Sequence, residues 1–164
     1  MQRRLAWFLT VAALLWAAAI IAAPYAITSR NPALVGIAAF VYQGAGLICH
    51  QRPERSFHLG GAQLPVCGRC SGLYFSGALG AVAAWLLSRR AGPRGTRIAI
   101  AVAAIPTALT VSLEFVGLIH PGNVLRAVSA LPLGATAGWI FVRSLRAEGD
   151  VDRSPATYAR SQPS

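Results

Sequence analysis

Apolar residues along this chain come in blocks that are hydrophobic on every side, not in stripes. Residues 5–27, 71–87 and 98–119 show no polar face at the i, i+3, i+4, i+7 spacing of a helix lying on a soluble core. Such helices need lipid or protein all round. At about 1.5 Å per residue the first block is long enough for the roughly 30 Å of a bilayer's hydrocarbon core, and 71–87, 98–119 and 124–142 read as three further spans. Residues 33–48, interrupted by Gly36, Gln43, Gly44 and Gly46, have a length at which a short span, a re-entrant helix and an interfacial helix are hard to separate. The pattern predicts an all-α fold: a polytopic membrane helix bundle of four spans plus a short re-entrant or fifth helix. Ser29-Arg30-Asn31-Pro32 and His120-Pro121-Gly122-Asn123 read as turns, and residues 49–70 as a polar, glycine-rich structured loop. Residues 1–146 then form one transmembrane domain. Residues 147–164, with no apolar period, read as a disordered cytoplasmic tail.

Charge changes this picture by giving it a direction. The chain of 164 residues is 55% hydrophobic and 12% charged, with a net charge of +10 that comes from arginine, because there is no lysine. The arginines sit mostly in connectors and at block ends. That distribution fits membrane topology and excludes a nucleic-acid binder, which gathers basic residues on one soluble face. With four spans and the N-terminus inside, Arg3, Arg4, Arg89, Arg90, Arg94, Arg97, Arg143 and Arg146 face the cytoplasm, and Arg30, Arg52, Arg55 and Arg69 face out. Five spans satisfy the rule only with the N-terminus outside. Both arrangements put the connector 88–97 inside and the loop 49–70 in the periplasm or exterior. Arg3 and Arg4 before an apolar stretch ending near Ala22 and Ala23 also resemble a cleaved signal peptide, but the stretch exceeds the usual hydrophobic region, so a retained anchor is expected.

Three cysteines carry the candidate chemistry. Cys67 and Cys70 form C-x2-C where the loop turns into a helix, and free N–H groups and the positive end of a helix dipole favour thiolates there. Cys49-His50 stands at the loop's other end, so the pattern reads C-H-x16-C-x2-C, a set that would bind zinc or another soft divalent metal. His58 is an alternative fourth ligand. The rival readings are a thiol-disulfide oxidoreductase with Cys49 as resolving thiol, and a loop tied by one structural disulfide.

The run Cys49-His50-Gln51-Arg52-Pro53-Glu54-Arg55-Ser56-Phe57, followed by Pro65-Val66-Cys67-Gly68-Arg69-Cys70-Ser71-Gly72-Leu73-Tyr74, resembles an uncharacterised family of small bacterial and archaeal membrane proteins with CHQ-x-P-x-RSF and PVC-x-RC-[ST]-G motifs. The likeness covers roughly residues 40 to 140 and extends to Pro106, Glu114, Asn123, Arg126 and Gly134. This chain departs from it at Thr110, where relatives often carry an acid, and at Ser129-Ala130, where they carry Thr-Gly. The resemblance implies a membrane fold and a set of residues, and no activity.

An ionised side chain at mid-membrane is unfavourable by about 2.5–3.5 kcal/mol on insertion scales, which singles out Glu114 and Arg126. Glu114 is six residues before His120, about 9 Å along a continuous helix, and Arg126 is three after Asn123, so the two can pair across the last hairpin. Cys67, Cys70, Glu114, Asn123 and Arg126 then share the outer half of the bundle, with Arg52, Arg55 and Arg69 adding positive charge. Small residues four apart, Gly72, Ser76, Gly80 and Ala84, with Gly134 and Gly138, read as close-packing faces. P-loop, H-E-x-x-H, C-x-x-C-H and G-x-S-x-G patterns are all missing, and no catalytic residue is assigned. The expectation is a metal-binding or structural membrane protein whose partner is the lipid bilayer, with no nucleic acid and with room for a homo-oligomer; a small transporter or channel component is the third reading.

Overall fold

The computed structural model describes residues 2–87 and 92–151, with side chains to Arg146. The elements run α1 (Gln2–Ile27), α2 (Pro32–Gly46), a 3-10 turn (Pro53–Arg55), β1 (Ser56–Leu59), β2 (Ala62–Cys67), α3 (Gly68–Leu86), α4 (Pro93–Phe115) and α5 (Asn123–Val151). The chain is a helix bundle. α1, α4 and Asn123–Arg146 of α5 are long and apolar enough to cross a membrane. α3, the fourth expected span, is a helix of 19 residues. Its flanks are covered by protein, because Gly72, Ser76, Ala78, Gly80, Ala81 and Ala84 are all buried.

α3 and α5 lie parallel with their backbones in contact. A Cβ placed on Gly72 would collide with the Ala127 carbonyl, one on Gly80 with the Ala135 carbonyl, and one on Gly138 with the Gly77 carbonyl. The small-residue faces expected from the sequence therefore meet each other, which is how helices approach closely where lipid supplies no hydrophobic drive. α1 runs antiparallel to α3. Ala6 packs with Ala81 and Ala84 at one end, and Ile20 with Val66 and Cys67 at the other.

The structure narrows the readings of the short helix. α2 opens at Asn31, whose side chain accepts from the Ala33 N–H at 2.9 Å, with Pro32 at the first helical position. It doubles back along α1, putting Ala38 and Val41 against Ala23 and Ala45 against Ile20. Its 15 residues span about 22 Å, short of a hydrocarbon core. That length rules against a full span and leaves the re-entrant and interfacial readings. It ends level with Ile20, where α3 begins.

Element boundaries differ from the sequence reading, and α4 opens at Pro93, five residues before the apolar block at 98. α4 stops at Phe115, not at residue 119, because Gly117 takes φ +74° and closes a Schellman motif, with Leu118 N–H donating to the Leu113 carbonyl at 3.0 Å and Gly117 N–H to that of Glu114 at 3.1 Å. Glu114 consequently sits in the last turn of its helix. The loop 49–70 contains a hairpin that was not anticipated: β1 and β2 pair antiparallel, Ser56 opposite Cys67 and Leu59 opposite Ala62, around Gly60 and Gly61 at φ 57° and 84°. A Gly-Gly pair between two short mixed runs is the signature of such a turn. α5 runs on to Val151, into the stretch read as tail; residues 152–164, like Arg89 and Arg90 of the basic connector, lie outside the described residues.

Candidate functional site

Cys49 follows the end of α2, its N–H donating to the Ala45 carbonyl at 2.9 Å. Cys67 closes β2 and caps α3, whose first turn carries Arg69 and Cys70. The folding back of α2 brings these ends together, so the sulfurs of Cys49, Cys67 and Cys70 all lie within 4.8 Å of one another. All three are free thiols. Cys67 N–H donates to the Cys49 sulfur at 3.2 Å, and Trp16, Phe57, Tyr74 and Phe75 pack around the group. The Cys67 thiol is held down to about 5, chiefly because the Cys70 thiol donates to its sulfur; the backbone N–H of Cys70, the Cys49 side chain and the backbone N–H of Arg69 add to this and outweigh burial. His50 and His58 are exposed, and neither belongs to the three-sulfur group.

Residues that sequence reading quoted without a role, or passed over, hold the cysteines in place. Gln51 Nε2 donates to the Tyr42 carbonyl of α2 at 2.6 Å and to the Pro65 carbonyl of β2 at 2.8 Å. Gln63 Nε2 returns a bond to the Gln51 carbonyl at 2.9 Å, and the Tyr42 hydroxyl donates to the Gln63 carbonyl. These four bonds tie the end of α2 to the strand that carries Cys67. Two glutamines in a glycine-rich loop gave no pattern from which the pairing could be read.

Beside the cysteines lies a second constellation. Glu114 receives Arg126 from α5 at 2.7 Å, Arg69 from α3 at 3.1 Å and Arg55 from the 3-10 turn at 3.4 Å. Asn123 accepts from Arg126 Nη1 at 3.2 Å and donates to the Ser56 carbonyl at 2.9 Å, joining α5 to β1. The expected pairing of Glu114 with Arg126 is present, with two more arginines on the same carboxylate. Arg52 stays apart, 4.0 Å from Glu54 on the surface. Thr110 Oγ1 lies 3.2 Å from Ser129 Oγ, one turn before Glu114.

The fold and site define a small helical membrane protein with a three-cysteine cluster and an arginine-ringed carboxylate at one end of its bundle. The chain belongs to the family described as predicted membrane protein (DUF2085), which matches residues 49–140, from Cys49 into α5. An uncharacterised protein of Methanothermobacter thermautotrophicus is 33% identical over 87 residues, covering 53% of this chain and 78% of that protein. One of Methanocaldococcus jannaschii is 30% identical over 101 residues, covering 61% of this chain and 65% of that protein. No solved structure matches.

Proposed function

We propose that Cys49, Cys67 and Cys70 form a thiolate metal centre, zinc being the first ion expected, on the outward-facing end of the protein. The observation that carries this reading is the convergence of three sulfurs from two separate segments within 4.8 Å, with one of them already acidic. Sulfurs bound to a single tetrahedral zinc at about 2.3 Å stand roughly 3.8 Å apart, so side-chain adjustments of about an ångström or less close the set. With His50 and His58 exposed, the fourth position belongs to water or an added ligand. The role is binding or structural, in keeping with the missing catalytic motifs.

The outward orientation rests on charge. Arg3, Arg4, Arg143 and Arg146 gather at the end of the bundle opposite the cysteines, where Arg143 lies over Trp139 at 4.7 Å and Arg146 over Trp85 at 4.6 Å. Basic residues with interfacial tryptophans mark a cytoplasmic boundary.

A second reading, a thiol-disulfide oxidoreductase, draws on the Cys67 thiolate beside a Cys70 thiol. Metal analysis of detergent-purified protein separates the two. The metal reading expects about one equivalent of metal per chain, lost in the Cys67→Ser/Cys70→Ser variant; absence of metal together with a reversible Cys67–Cys70 disulfide establishes the other.

A further inference from the structure

One carboxylate serves three guanidinium groups at the outer end of this bundle. With Glu114 as the single acid in direct contact with Arg55, Arg69 and Arg126, these four side chains carry two positive charges in excess, of which a neighbouring Cys67 thiolate would offset one. Glu54, the other acidic residue among the described side chains, is exposed and faces Arg52. The excess stands where charge is hard to tolerate: the Arg126 and Arg69 side chains are only 10% and 20% exposed, and Phe115, Val116 and Leu118 beside Glu114 are strongly exposed apolar groups suited to lipid. Charge left unbalanced in such a place raises the energy of the fold unless an anion joins it.

The donors for an anion are already arranged. The Nε–H groups of Arg69 and Arg126 are buried and have no hydrogen-bond partner among the described residues, although each arginine is fixed by its Nη2 on Glu114. Where Glu114 gives way, the Nε and Nη2 groups of such an arginine become a forked edge that matches two oxygens of a tetrahedral oxyanion. Arg55, 35% exposed and held on Glu114 by a longer 3.4 Å contact, forms the open side. We propose that Arg55, Arg69 and Arg126 form a binding site for a phosphate-type oxyanion, with the Glu114 carboxylate as the internal ligand that the anion partly displaces. Its side chains are separate from the cysteine sulfurs, although Arg69 stands between Cys67 and Cys70 in the chain, and the phosphate readout needs no metal analysis. The same oxyanion chemistry reaches it as free phosphate from outside or as the headgroup of an anionic phospholipid in the outer leaflet.

The test uses the full chain, purified in detergent and in nanodiscs, with thermal unfolding as readout. Inorganic phosphate is compared with chloride at equal ionic strength, and phosphatidylcholine discs are compared with discs containing phosphatidylglycerol. The proposal expects stabilisation by phosphate, by phosphatidylglycerol or by both; phosphate alone assigns a soluble anion, and phosphatidylglycerol alone a headgroup. Arg55→Gln should abolish the response. Glu114→Gln, which removes the competing carboxylate, should tighten phosphate or headgroup binding at least several-fold, whereas a merely structural Glu114 would give no gain. Absence of stabilisation in both arms overturns the site, as does an Arg55→Gln protein that responds like wild type; that variant carries the test if Glu114→Gln does not fold.

Discussion

Gln51 holds a left-handed backbone, φ 44°, two residues after Cys49. A non-glycine residue stays there only when its surroundings compensate, and two side-chain donations to Tyr42 and Pro65 do so. Gln51→Ala removes both and leaves two carbonyls without that donor, which should cost about 1–3 kcal/mol and weaken metal retention, because Cys49 loses its position. Denaturant unfolding with metal analysis on the same sample checks both effects. Cys67 makes a second residue-level prediction. In reduced, metal-free protein a thiolate absorbance should be present well below the ordinary thiol range of about 8.5 and be lost in Cys67→Ser. Because the folded value is depressed, the stability this thiolate contributes is complete above the ordinary thiol range, about 8.5, and is lost as pH falls through about 5. The cysteines were legible as a group from their spacing. Their latch was not, since it consists of side-chain amides reaching carbonyls on segments that only folding brings together.

The α3–α5 seam is the contact that sets the spacing of the bundle. Gly80→Leu would drive a side chain into the Ala135 carbonyl, which rigid helices cannot absorb. We expect a loss of about 1–3 kcal/mol or more, read as a lower melting temperature in detergent, while Gly36→Ala, inside α2, whose Cβ meets nothing among the described residues, should be near neutral. The small-residue faces were visible in the sequence as residues four apart, a spacing that lets membrane helices approach closely, but in so Ala- and Gly-rich a chain only the structure shows which faces meet. The hairpin was harder to see, since its strands of four and six residues are too short to establish an alternating pattern. The end of α4 was likewise set by a single glycine conformation, and it moved Glu114 from inside a helix to its last turn.

At the scale of the molecule, a basic, tryptophan-bearing end and a cysteine-bearing end face opposite ways. If the cysteine end is outside, a membrane-impermeant thiol reagent on intact cells should label His58→Cys, an exposed hairpin position, above the background of the largely buried native cysteines. Arg94→Cys should label only after permeabilisation. The reverse pattern would invert the topology. The family match begins at Cys49, yet α1 and α2 complete the site: Ile20 and Ala45 are buried against the cysteines, with Trp16 beside them.

The sequence by itself determined that this is a helical membrane protein, that its cysteines form one candidate group and that small-residue faces exist, because hydrophobic block length, ligand type and residue size are local properties. Tertiary structure decided that residues 33–48 fold back along α1, that the three cysteines meet without either histidine, and that Arg55 and Arg69 join Arg126 on Glu114. Each of these depends on where separate segments stop and turn. Short-range signals such as the left-handed Gly117 and the doubling back of α2 set those stopping points, and the consequences appear only once distant segments are packed together.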